Sequence, residues 1–478
     1  MIRNHSRHGS RFPITLGGGG YSVTKSLRFR SSASAYLSRT ASASISTYTI
    51  SMWVKRGTLT SNYQYLFSHP NSGATDGYGL AFNITTDTLY YYNGTAQATT
   101  VAYRDPAAWY HIVFSNNAGS FTLYVNGVSV KTGTATAIPS GAVMNLGRYG
   151  YTPGFYFDGE MAEVNFVDGQ SLLPASFGAT GANSQWLPIA YAGTYGTNGF
   201  YLPFTTTTST STLVADSSGN GNNWTPNNIS LTAGSTYDSL TDVPTISGTA
   251  SNYVVWNPLW QGRTNVPTNG NLDYPASSAG IGTIDLSTGS FYWEITATGG
   301  IATVAVYSTS VSSSIAVALG LTYGFRFNGS TGAFDYTTNG SSFTSIATGL
   351  TSGPYFIYVS TAAATTASLN AGQRPLTYTP PTGFLALNTY NIPAGTVTTS
   401  GTFTGNASTD GPFVYLNGTP TTMTINGNAV TFGTQADKLA NGFKVRSSSA
   451  SYNASGSNTY TASTVGAVFK YEDAQGNP

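Results

Sequence analysis

The side chains able to do chemistry are few in this sequence of 478 residues. It has no cysteine and four histidines, and Asp, Glu, Lys and Arg together make only 8%. Without cysteine there are no disulfides, thiolate nucleophiles or thiolate-bound metals. One acidic group stands in a strand-like pattern: Asp158, Glu160 and Glu163 in FDGEMAEVN, residues 157–165. Retaining glycoside hydrolysis needs two carboxylates about 5 Å apart. Strand alternation puts Asp158 and Glu160 on one face and sends Glu160 and Glu163 to opposite faces. The expectation is therefore solvated carboxylates at a strand rim, the ordinary state of acidic side chains. His5 and His8 lie near the N-terminus, and His69 precedes Pro70 in a loop. His111 stands mid-strand and reads as a packed, hydrogen-bonded core histidine. No Gly-x-Ser-x-Gly elbow, His-Glu-x-x-His pair or phosphate loop occurs in a fitting context. No catalytic, cofactor-binding or metal-binding residue is assigned, and no cofactor is expected. Residues 216–224, DSSGNGNNW, hold Asp and Asn oxygens suited to a hard cation, but only Asp216 is charged, so a tight calcium site is not expected.

The elements that position these groups read as strands. In residues 109–128, WYHIVFSNNAGSFTLYVNGV, Tyr110, Ile112 and Phe114 point one way and Trp109, His111 and Val113 the other. A strand apolar on both faces is covered on both. Phe121, Leu123 and Val125 then share one face, and Asn126-Gly127 signals a tight hairpin because both central residues need positive φ. Asn93-Gly94, Asn417-Gly418 and Asn426-Gly427 repeat the signal. No segment longer than about ten residues shows helical apolar periodicity free of Gly or Pro. The fold class is all-β: tandem β-sandwich (jelly-roll) domains after an extended N-terminal arm.

Composition limits the partners. Net charge is +1, which offers no electrostatic case for nucleic acid or an anionic membrane. No apolar run reaches the roughly 18 residues needed to span a bilayer, so no membrane insertion is expected. The N-terminus is basic without an apolar centre, unlike a signal peptide. Tyr90 and Tyr92 in LYYYN could stack on sugars or pack against the other sheet or a subunit. Residues 1–20 read as an arm with Arg3, Arg7, Arg11 and Phe12 as its docking side chains, pivoting on the four glycines at 17–20. Low charge with 33 Tyr and 24 Phe favours self-association.

Several motifs carry a resemblance. YTISMWVKR (48–56), WYHIVF followed by LYVNG, NLGR (145–148) and FDGEMAEVN resemble, in order, the laminin-G-like, concanavalin A-like lectin domains over residues 26–177. SFYWEITATGG (290–300) and LNAGQRP (369–375) resemble the start and end of SPRY-like domains of phage proteins. DSSGNGNNW, the stretch DSLTDVPT to TNGNLDY (238–274) and GFKVRSS (442–448) resemble segments of phage structural proteins. The resemblance implies a virion fibre or adhesin organised as 1–20 anchoring arm, 21–192 laminin-G-like sandwich, 193–271 strand, Asp/Asn/Gly-rich turn and linker, 272–393 SPRY-like sandwich, and 394–478 β-rich module. It implies a tail fibre or receptor-binding protein on the virion surface, with a capsid-attached head fibre or decoration protein as the alternative and a glycan depolymerase as a further one. The partners it implies are other virion proteins through the arm, a homo-oligomer (a trimer, by likeness to fibres) and a host surface glycan. Binding rather than catalysis is expected.

Overall fold

The computed structural model describes residues 21–464 except 60–61, 153, 182–184, 247, 261, 288, 309, 352–353, 393–399, 406–412, 416–419, 432–433, 440–441 and 446. The expected arm at residues 1–20, with Arg3, Arg7, Arg11 and Phe12, lies outside the described residues.

The regular secondary structure of the described chain is almost wholly strand. Its only α-helical pieces are the single turns Thr210–Leu213 and Ala450–Asn453. The first of these begins in the Ser/Thr run at 205–212. Ser209 caps it, accepting from the Thr212 amide at 3.1 Å.

The first sandwich packs two antiparallel sheets. One runs Val128–Thr134, Ser120–Val125, Trp109–Asn117, Tyr48–Arg56, Gly159–Asp168, Ser26–Phe29, Ser239–Leu240, with Phe200–Leu202 also paired to Gly159–Asp168. The other runs Thr225–Asn227, Tyr36–Thr40, Val143–Leu146, Gln64–Pro70, Gly77–Phe82, Thr88–Tyr92, Ala96–Ala102. Tyr48, Ile50, Met52, Val54, Ile112, Phe114, Leu80 and Phe82 meet between them. The strand Trp109–Asn117 is covered on both faces as its sequence requires, since Val113 packs with Val167 and Phe177 on the outer side. Asn126 and Gly127 take φ of 48° and 82°, closing the hairpin. Residues 193–271, expected as a separate strand, turn and linker, put Phe200–Leu202 and Ser239–Leu240 into one sheet and Thr225–Asn227 into the other. The reason is apolar: Phe200, Leu202, Leu213, Val214 and Trp224 are buried in the first core.

The second sandwich has a larger sheet ordered Asp273–Tyr274, Thr366–Asn370, Ser290–Thr298, Thr322–Asn328, Ala333–Thr337, Thr344–Ala347, with Leu385–Ala386 paired to Ser290–Thr298. Its smaller sheet is ordered Ala279–Asp285, Phe356–Thr361, Ala302–Tyr307, Val311–Val317. Trp293 stacks on Phe325 and Phe334 in the core, and Trp256 donates to the Leu272 carbonyl at 3.1 Å. Beyond it lie a four-stranded sheet around Gly456–Thr464 and a three-stranded sheet around Gly442–Val445.

Candidate functional site

The three carboxylates do not behave as solvated rim groups. Asp158, Glu160 and Glu163 are all buried: residues from 238 to 271 cover the first two, and Tyr21 and Tyr201 cover Glu163. Asp158 accepts from the backbone amides of Asn269 at 2.8 Å and Gly270 at 2.7 Å, and from the Ser31 hydroxyl at 2.6 Å. Its charge is thus fully engaged in holding a loop. Glu160 stands in register between Lys55 and Arg28 on the flanking strands. Those cations bind other acids: Lys55 to Asp242 at 2.6 Å, Arg28 to Asp238 at 3.1 Å. Neither Glu160 oxygen has a hydrogen-bond partner. Burial, then the nearby Asp242, holds its carboxyl well above the usual range. A polymeric sugar cannot reach it.

Glu163 breaks the expected alternation. The strand Gly159–Asp168 is bulged against Tyr48–Arg56 between Ala162 and Asn165, and Glu163 has φ of 52°. Met161 and Val164 both face the core, so the extra residue turns Glu163 outward. There Tyr201, whose neighbours Phe200 and Leu202 point inward, donates to it at 2.9 Å, and Tyr21 donates as well. Burial pushes this carboxyl up to about 7, against the two tyrosine hydrogen bonds that favour the charge.

His69 and His111, the two histidines among the described residues, are structural in geometry. Trp186 Nε1 donates to His111 Nδ1 at 2.8 Å, which leaves Nε2 to donate to the Ser51 hydroxyl at 2.8 Å. Burial lowers His111 to about 3 and His69 to about 4, so both stay neutral. Asp216 is also occupied. Its oxygens accept from the Tyr201, Ser218 and Asn222 amides and the Ser218 hydroxyl, at 2.8 to 2.9 Å. A cation there would have to displace these donors. Beside this turn lies an open depression of about 540 Å³ lined by Tyr195, Thr194, Thr197, Ser218 and Asn220. Asn220 donates to the Gly196 carbonyl at 2.7 Å, so part of its lining holds the two turns together.

The most developed accessible surface is an aromatic shelf on the outer face of the second sheet. Bulging between Tyr65 and Phe67 keeps Leu66 and Phe67 in the core and leaves Tyr65 outside. Tyr65, Tyr90 and Tyr149 form its buried floor. Tyr90, weighed above as a stacking residue, is only 3% exposed and packs against Tyr63 and Tyr65. Tyr63 and Tyr92 are half-buried, and Phe155 is exposed at 37%. Phe155 sits edge-on to Tyr63 at 5.5 Å and to Tyr149 at 5.7 Å. Its φ is 51°, an unfavourable backbone for a bulky residue, so packing holds the ring there. Asp76 closes one end, accepting from Tyr149 and from Tyr92 at 3.1 Å. Burial, then the Asp76 hydrogen bond, raises both tyrosines, which keeps the hydroxyls protonated. Rigid rings beside fixed polar groups suit the apolar faces and hydroxyls of a sugar. The alternations Tyr63/Tyr65 and Tyr90/Tyr92 were visible in the sequence. Asp76 comes from the turn before Gly77–Phe82, and Tyr149 and Phe155 from the loop between Val143–Leu146 and Gly159–Asp168; only the fold joins them to the strand tyrosines.

Comparison with known proteins bears on this module. No curated protein matches the chain. Similar solved structures include a heptameric SAP-like pentraxin from Limulus polyphemus, at 16% identity and TM-score 0.27, covering 32% of this chain and 80% of that one. A putative carbohydrate-binding protein from Bacteroides ovatus matches at 17% identity and TM-score 0.32, covering 43% and 59%. The PSpry domain of TRIM65 matches at 12% identity and TM-score 0.20, covering 24% and 91%. Residues 29–174, within the stretch where the laminin-G-like motifs stand, match the Laminin_G_3 family of the concanavalin A-like lectin/glucanases superfamily.

Proposed function

We propose that the protein is a carbohydrate-binding adhesin carried on a phage particle, in which the first sandwich holds host surface glycan and performs no hydrolysis. The observation that carries the glycan reading is the aromatic shelf, with Phe155 held exposed on an unfavourable backbone in a lectin-family module. Sugar rings lie on Tyr63 and Phe155, while Asp76 and its tyrosines orient hydroxyls. The buried state of Asp158 and Glu160 supports binding over cleavage. The particle assignment rests on the sequence resemblances to phage structural proteins, and the arm at residues 1–20 is its proposed attachment to other virion proteins.

The test is binding of the full chain to an array of bacterial envelope glycans. Phe155→Ala and Tyr63→Ala each remove one stacking ring, a contact worth about 1 kcal/mol, and should weaken binding several-fold. Glycan binding unchanged in both variants would remove the shelf from the reading. Reducing-sugar release from the same glycans would replace adhesion with cleavage.

A further inference from the structure

The second sandwich has almost no charge on its surface. Residues 272–392 contain six charged side chains: Asp273, which is buried, Asp285, which is half-buried, Glu294, Arg326, Asp335 and Arg374. Glu294 and Arg374 are buried, and Arg326 pairs with Asp335 at 2.8 Å. Between 295 and 325 there is no charged residue at all. That stretch includes Val311–Val317, the last strand of the smaller sheet, which pairs with Ala302–Tyr307 and with no other strand among the described residues. Exposed terminal strands ordinarily carry Lys, Pro or inward charge that blocks pairing with another chain. This one reads VSSSIAV and carries none of these.

Large apolar side chains gather at the same place. Ile301, Val311, Leu319 and Leu321 are each between 44% and 58% exposed. The pairing of Ala302 with Val317 and the bridge of Ala297 to Leu319 bring the loops bearing Ile301 and Leu319 to one end of the strand. Val311 marks the other end. An uncharged strand edge flanked by exposed apolar side chains is the surface of an unfinished sheet.

We propose that the strand Val311–Val317 is a self-association edge, which pairs antiparallel with the same strand of a second copy and continues the smaller sheet across a two-fold axis. A second copy is the partner favoured because an antiparallel edge is its own complement. Under a two-fold, each free amide meets the same strand's free carbonyl, and the apolar residues at one end meet Val311 at the other. Two copies of a charged surface would repel, whereas two copies of this one do not. The proposal is independent of glycan binding, which lies on the first sandwich.

The test is sedimentation of the full chain at micromolar concentration. The expected mass is that of two chains, or an even multiple. Ser314→Lys at the centre of the strand and Ala316→Lys beside it, both exposed positions, place charge on the edge. Each should shift the protein to half the mass while circular dichroism stays β-rich. Thr85→Lys, an exposed substitution on the first sandwich, should leave the mass unchanged. A one-chain or three-chain mass for the parent protein, or an unchanged mass in both edge variants, would overturn the proposal.

Discussion

Replacing Glu163 by Gln keeps the shape, the bulge and the accepting oxygen but removes the ionisable group. In the folded protein Glu163 titrates at about 7, raised from 4.5 by burial. Between these values the folded chain keeps a proton that the unfolded chain has released. Unfolding then loses protons, so stability falls as pH rises through this window. At 1.36 kcal/mol per pH unit the full effect is about 3 kcal/mol, complete above pH 7. His69 and His111 act the other way. Burial lowers both from 6.5, so the stability they contribute is present above that value and is lost as pH falls. A pH profile of the parent protein alone mixes these trends. The difference between Glu163→Gln and the parent isolates one group, since both chains carry the histidines. Urea unfolding at pH 5, 6, 7 and 8 should show Glu163→Gln gaining on the parent by about 3 kcal/mol across the range. A difference that stays flat with pH would refute the claim that this carboxyl is buried, and with it the outward turn of the bulge.

Other expectations follow from close contacts. Lys55→Met leaves Asp242 buried without its cation and should cost about 3–5 kcal/mol in urea unfolding. Gly147 has φ of 86°, and a Cβ there would meet the Phe29 ring at 2.4 Å, so Gly147→Ala should lower stability by about 2 kcal/mol or more, measured the same way. A chain starting at Tyr21 should fold with unchanged circular dichroism but fail to join particles in an assembly assay. Particles holding it at normal copy number would move the attachment into a later module.

The sequence by itself determined which segments are strands and where many of them turn. The strand Trp109–Asn117 is apolar on both faces and could only lie between two layers. Asn126-Gly127 could only close a hairpin, and Gly and Pro left room for no more than single helical turns among the described residues. These are local properties, set within a few residues by side-chain alternation and allowed φ. The laminin-G-like motifs were legible for the same reason, because they mark strands in a fixed order. What surrounds a side chain was decided only by the tertiary structure. Asp158 and Glu160 read as rim acids because nothing near them in sequence covers them; their cover comes from Asp238, Asp242, Asn269 and Gly270. Glu163 reads as facing away from Glu160 until one bulge reverses it, and a bulge depends on the pairing strand rather than on its own. The aromatic shelf needed Tyr65, Tyr90 and the loop bearing Tyr149 and Phe155 brought from three places in the chain. Burial and long-range pairing are properties of the packed layers, and no single strand contains them.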